Sequence, residues 1–447
     1  MLDQSRDVSL VGGGELTVLP LGIDIEAMRT GGVGGMFFGI DRSRFLTRQI
    51  LGGLRHQEQV KVVSPVIEGK LLYLRHNNRT VAVRAGGEIP SRAQQVGASL
   101  DVHSGRWLDS PGDSAYMVPT TQQFYDELDR FHVPSRRDST WGEWHYFNLV
   151  ISRNEWWYIT YLVGGEVGSG EWGGHLLLTH RHPDGRYEQF NARAPSSRVI
   201  FDTLRADVSI GKSYVRQQNG TYVLHADAKG RSGRVRIDVS LIPDPIRYFP
   251  SVELYDGAFL SGYVVPALSA KASGKVCEGR ACSTFSEVPA YHDHNWGYWR
   301  DVTWEWGTGR GERFNLLYGG VYTPGADDEI RSSTPSSPFF FTLVDSLGVN
   351  QVLRFSRILY EGARAAAGGA TATAPTRFSL LATSDADTVR LVVNTKDVLA
   401  TRAGASDPRR VFLQMRGRFD LSGKVAGQVV ADSGMGFFET WVGSNRP

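Results

Sequence analysis

The segment Pro289-Ala-Tyr-His-Asp-His-Asn-Trp-Gly297 is the densest polar and aromatic stretch of this chain. Read as a β-strand, it turns Tyr291, Asp293 and Asn295 to one face and His292, His294 and Trp296 to the other, because successive side chains of a strand alternate. An aspartate flanked by aromatic rings loses solvation. That raises its pKa and lets it keep its proton near neutrality. A desolvated acid of this kind can deliver a proton to an alkene or a carbonyl. The plainer reading makes Asp293 a turn cap and the rings core.

On both sides of this segment, strand-sized runs recur at residues 146–151, 157–163, 175–179, 235–241, 303–306, 314–318, 339–344, 390–393, 411–415 and 436–441. Gly, Asp and Asn separate many of them, as in antiparallel barrels and sandwiches. Nine of the 11 tryptophans fall between Trp141 and Trp306, which marks an aromatic-lined region. Glu143-Trp-His-Tyr-Phe-Asn148 and Glu155-Trp-Trp-Tyr-Ile-Thr160 lie 12 residues apart, the spacing of neighbouring antiparallel strands. The stretch from 139 to 447 is too long for one small barrel and suits two.

The preceding part reads as a separate, smaller, mostly-β (α+β) unit, residues 1–133, joined through a linker at 134–139. Residues 15–19 and 61–67 are strand-like. Residues 70–75 and 80–84 flank Asn77-Asn78 as a hairpin, and 43–51 and 120–131 are predicted helices. The glycine clusters 12–14 and 31–35 lack the third glycine of a dinucleotide loop and any following Gly-Lys-Ser/Thr, so they read as turns. Residues 363–375, rich in Ala, Gly and Thr, read as a surface loop.

With 49 Lys+Arg against 47 Asp+Glu, the net charge of +2 argues against a dedicated nucleic-acid binder. No run reaches the 18 or so apolar residues of a membrane helix, and peripheral membrane contact stays compatible with the sequence. Residues 1–7 have no apolar core of a secretory signal. The chain is therefore expected in the cytoplasm if Met1 is its start, and in the periplasm if a signal precedes this numbering. Cys277 and Cys282 flank a turn containing Gly279, and either a local disulfide or two thiols fits.

Other constellations compete with this one. His292-x-His294 and His180-x-His182 could make a metal site if their strands were adjacent. Glu143 is the better second polar group for a pocket, and Glu155 is expected to pair with arginine. Trp144, Trp156 and Tyr158 offer aromatic walls that can shield a carbocation, or hold a flat apolar ligand without reacting with it. The serine of Ala431-Asp-Ser-Gly-Met435 lacks the glycines of a nucleophile elbow.

Glu155-Trp-Trp-Tyr158, Tyr291-His-Asp-His-Asn-Trp-Gly297 and Gly434-Met-Gly-Phe-Phe-Glu439 occur in the order of three motifs of the carotenoid 1,2-hydratase (hydroxyneurosporene synthase) and AttH-like superfamily, which this chain resembles over residues 139–447. The resemblance implies a mainly β fold with two tandem lipocalin-like antiparallel β-barrels, placed at 139–262 and 263–447, and an apolar ligand cavity near their junction. It implies no metal and no organic cofactor. It makes Asp293 the catalytic acid and Tyr291 its partner. Hydratases of the superfamily carry a tryptophan some 25 residues before the motif tyrosine, where this chain has Tyr263 within Gly262-Tyr-Val-Val-Pro266.

Three expectations follow. The first is acid-catalysed hydration or cyclisation of an apolar, isoprenoid- or polyketide-type small molecule. Asp293 and Tyr291 would be catalytic, and Glu143, Trp144, Trp156, Tyr158, His292, His294, Asn295, Trp296 and Tyr263 would line the ligand. The second is a lipocalin-like carrier without chemistry. The third is a metal-dependent barrel using His292, His294 and His180 or His182.

Overall fold

The computed structural model describes residues 66–76, 79–88 and 121–443, apart from residue 135 and short gaps at 245–246, 257–258, 300–301, 323–329, 334–338, 346–347, 369–371, 385–386, 403–409 and 426–427. The chain divides into two units, Met1–Pro119 and Thr120–Pro447. In the first unit, Val66–His76 and Arg79–Glu88 pair as an antiparallel hairpin around Asn77-Asn78. The strand expected at 15–19, the helix at 43–51 and both glycine clusters lie outside the described residues.

The second unit holds sixteen principal strands. In chain order β1–β8 are Trp141–Ser152, Glu155–Glu166, Glu171–Arg181, Tyr187–Pro195, Thr221–Gly230, Gly233–Pro243, Phe259–Glu278 and Ala281–Tyr298. Then β9–β16 are Thr303–Gly311, Asn315–Tyr322, Phe339–Asp345, Gly348–Phe355, Arg377–Ser384, Asp387–Arg402, Arg410–Val425 and Gln428–Gly443. Each strand pairs antiparallel with the next within its set of eight. The pairings β8–β1 and β9–β16 then close the two rings. Two closed eight-stranded up-and-down meanders result, which is the lipocalin architecture. Both cores are drawn from alternate residues of these strands, for example Phe147, Ile159 and Leu176 in the first and Leu316, Phe341 and Leu391 in the second.

The barrels change between β8, which ends at Tyr298, and β9, which begins at Thr303, and not near Gly262–Val265. Pro266 cannot donate to the ladder. Here β7 instead passes it through a bulge between Val264 and Ala267 and continues to Glu278. The first barrel therefore includes the central motif on β8. The hairpin β7–β8 turns at Gly279, whose φ of 60° suits the first central position of a two-residue turn. Cys277 and Cys282 face each other across that turn as a disulfide.

A second difference concerns α1, Thr121–Asp129, which was assigned to the N-terminal unit. It belongs to the barrels: Tyr125 joins the core of the first barrel and packs edge-on against Tyr222. Residues 363–375 are also no plain loop. Arg364–Ala365 pairs with Thr373–Ala374, Ala367–Gly368 adds to β14, and Ala372 and Ala374 are buried. Among the described residues, no helix is long and apolar enough to cross a membrane.

Gly262 sits opposite Trp296 across β7–β8, and a Cβ there would lie inside the indole ring. Gly262→Ala is therefore expected to destabilise the first barrel by about 1–3 kcal/mol, the usual cost of overpacking, read as a lower urea midpoint with an unchanged slope.

Candidate active site at the barrel junction

The two faces of β8 serve different places. Tyr291, Asp293 and Asn295 point out of the first barrel toward the second, whereas His292, His294 and Trp296 point inward.

On the outward face, Asp293 is 3% exposed. The Tyr291 hydroxyl donates to its Oδ2 at 2.8 Å and the Asn295 amide to its Oδ1 at 3.0 Å. Behind Tyr291 runs a short relay. The Trp306 indole N–H, from β9 of the second barrel, donates to the Tyr263 hydroxyl at 2.8 Å, and that hydroxyl shares a 3.0 Å bond with Tyr291. The Tyr263 side chain therefore stands in direct touch with Tyr291. Trp306 meets Tyr291 and Tyr146 edge-on, with centroids 5.5 and 5.8 Å apart.

A second carboxyl group faces this one from β16. Glu439 accepts from Tyr146 at 3.3 Å, from the Trp304 indole at 3.2 Å and from Gln414 at 3.2 Å. Burial pushes Glu439 up to about 7 against those three donors. Burial also drives Asp293 well above the usual carboxylate range. The Tyr291 hydrogen bond opposes that shift, and the field of Glu439 adds to it. The junction thus holds two desolvated acids among indoles and phenols, an arrangement that can keep a proton available at neutral pH and surround a cation with ring faces.

The structure brings most of the outward-facing candidates to this junction. Tyr158 lies 6.3 Å from Tyr146 and 5.4 Å from Phe437 of β16. Trp156 also meets Phe437, and Trp144 stands beside Trp299 and Trp304.

Four candidates lie elsewhere. Glu143, His292 and His294 are inside the first barrel, bound around Asp129 at the end of α1. His292 Nε2 is 2.9 Å from Asp129 Oδ2, and His294 bridges Asp129 Oδ1 and Glu143 Oε1 at 2.8 Å each. Tyr222 donates to Asp129 at 2.7 Å, and the backbone N–H of His132 donates to Glu143 at 2.8 Å. Trp296 packs with Trp141, Leu260 and Val264 and stacks on His132 at 3.6 Å. Burial opposes charge on both partners of this cluster, but the opposite charges win. Asp129 is held well below its usual range, and Asp129 and Glu143 push His294 up to about 9.

The two His-x-His pairs do not meet. His180 bonds Glu278 at 2.8 Å and Glu155 at 3.1 Å, so Glu155 pairs with a histidine and not with an arginine. Sequence reasoning passed over Glu439, Trp304, Trp306 and Asp129. Glu439 closes the third motif, and alternation puts it on one face with Phe437. A carboxylate in the last turn of a helix opposes the helix dipole, which was the available signal for Asp129.

No protein family and no curated protein matches the sequence. Among solved structures, the chain is similar to a protein of Nitrosomonas europaea assigned as AttH, at 14% identity and TM-score 0.48, covering 70% of this chain and 96% of that one. It is also similar to kievitone hydratase from Nectria haematococca, at 14% identity and TM-score 0.47, over 72% and 94% of the two chains. A third likeness is CghA, solved with Sch210972, at 11% identity and TM-score 0.46, over 73% and 98%.

Proposed function

We propose that this protein is an enzyme that protonates a carbon–carbon double bond of an apolar, isoprenoid- or polyene-type substrate at the barrel junction, with hydration or cyclisation as the outcome. The observation that carries the reading is the Asp293 carboxyl: buried, bonded to Tyr291 and Asn295, and faced by Trp306 and Glu439 from the other barrel.

In the proposed step the Asp293 O–H bond breaks and its proton joins the alkene carbon that yields the more substituted cation. Tyr291 holds the carboxyl in position, and the rings of Trp306 and Tyr146 stabilise the charge. Water then adds to the cation and loses a proton to the Asp293 carboxylate, which gives a tertiary alcohol and restores the acid. In the cyclising variant an internal alkene attacks instead, and loss of a neighbouring C–H proton to the same carboxylate closes the cycle.

Carriage of a ligand inside a barrel is less well supported. Aromatic and aliphatic side chains occupy the interior of each, and α1 with its histidine cluster fills part of the first. Incubating the protein with acyclic carotenoid and terpenoid extracts tests the proposal. A product heavier by one water, labelled in H₂¹⁸O, or an isomer of unchanged mass and new retention time is the expected result. Recovery of every compound unaltered would overturn it.

The acid role also predicts a pH profile. Activity should fall on the alkaline side as Asp293 loses its proton. Since the Glu439 charge helps retain that proton, Glu439→Gln should move this limb of the kcat/KM profile to lower pH. A limb that stays in place would separate Glu439 from Asp293.

A further inference from the structure

The junction carries one more unusual group. Arg416, on β15 opposite Phe437 of β16, is only 7% exposed. Its guanidinium lies over the Trp156 ring at 4.9 Å and the Phe437 ring at 4.4 Å. Its Nε has no hydrogen-bond acceptor, and among the described residues no carboxylate stands within ion-pair distance of it. Asp397, whose field reaches Arg416, is already taken by Arg181 at 2.9 Å and by the Tyr187 hydroxyl at 3.3 Å. The Tyr158 hydroxyl nearby also finds no acceptor, and neither does Arg181 Nε, from the guanidinium that lies over Trp156 at 4.9 Å.

Burying a charge without a partner is costly, and donors in this condition mark a place where an acceptor is missing. Arg181 and Arg416 together carry two positive charges against the single Asp397. An arginine held between aromatic rings is also preorganised for the planar, two-point recognition of a carboxylate. Phe437, Tyr158 and Tyr146 lead in contact from Arg416 to Trp306, which meets Tyr291. One aromatic wall thus runs from Arg416 to the bonded pair Tyr291 and Asp293.

We infer that Arg416 binds the carboxylate of an amphiphilic substrate whose apolar chain lies along Tyr158 and Tyr146 toward Asp293. The inference rests on the proposed acid only for which end of the substrate reacts. The preference for an anion is independent of any turnover.

The experiment compares all-trans-retinoic acid with all-trans-retinol, which share one chain and differ in the head group. Quenching of tryptophan emission is titrated with each at neutral pH. The native protein should bind the acid at least about ten-fold more tightly, Arg416→Gln should bind both equally, and Arg416→Lys should recover part of the preference. Because the substitution removes an unpaired buried charge, the melting temperature of Arg416→Gln should hold or rise. Equal binding by the native protein, no binding of the acid, or a preference that survives Arg416→Gln overturns the inference. A fall in the melting temperature would make Arg416 a structural cation and overturns it as well. Loss of turnover in Asp293→Asn with the acid preference intact would leave both readings standing, and each can fail without the other.

Discussion

Asp293→Asn is expected to lower turnover by about 10²–10⁴-fold while ligand affinity stays within about threefold, because only the proton delivered in the transition state is lost. The amide has the same shape and can still accept from Tyr291, so the relay through Tyr263 and Trp306 has no reason to collapse. Removing a buried ionisable group also relieves the cost that raises its pKa, so the variant should melt no lower than the native protein. Single-turnover kinetics on a substrate found in the extract screen, with a binding titration on the same samples, would check both halves. Unchanged turnover would remove Asp293 from the chemistry. A joint loss of turnover and binding would make it a positioning group.

Asp129→Ala is expected to destabilise the unit by about 3–5 kcal/mol, the usual loss when one partner of a buried charge network disappears. His292, His294 and Tyr222 all direct donors at this carboxylate, and α1 is tied into the first barrel through it. The cluster also sets a pH window. His294, pushed up to about 9, contributes stability that is complete below its unfolded value near 6.5 and is lost as pH rises through about 9. Asp129, held low, contributes stability that is present above 3.8 and is lost as pH falls toward its depressed folded value. Urea midpoints across pH should therefore be highest between those limits and drop on both sides. In Asp129→Ala the acid-side drop should shrink. A variant as stable as the native protein would show that α1 does not depend on this carboxylate.

The alternation along β8 was legible in the sequence because strand side chains repeat every two residues, and the separation of Asp293 from His292 and His294 followed from it. The mainly β character was legible for the same reason. The barrel boundary was not, since β7 is 20 residues long and crosses Pro266 through a bulge that leaves no signature in composition. Nor could the sequence assign α1 to the first barrel, because the tie is a contact between Asp129 and histidines more than 160 residues away. Glu143 looked like a pocket group for a similar reason. Its neighbours in sequence are aromatic, whereas its partners in space, His132 and His294, face the barrel interior.

Both rings close through their first and last strands, and the proposed site is built on those two closures. Asp293 and Tyr146 sit on β8 and β1, and Trp306 and Glu439 sit on β9 and β16. This places the site late in the life of a nascent chain. The acid strand leaves the ribosome well before the opposing carboxylate is synthesised, and the two can confront each other only after the final strand has zipped onto β9. A chain stalled or clipped before Glu439 would leave Asp293 without the carboxylate whose field helps it hold its proton. The full set of groups at this junction therefore comes together only when the second ring closes.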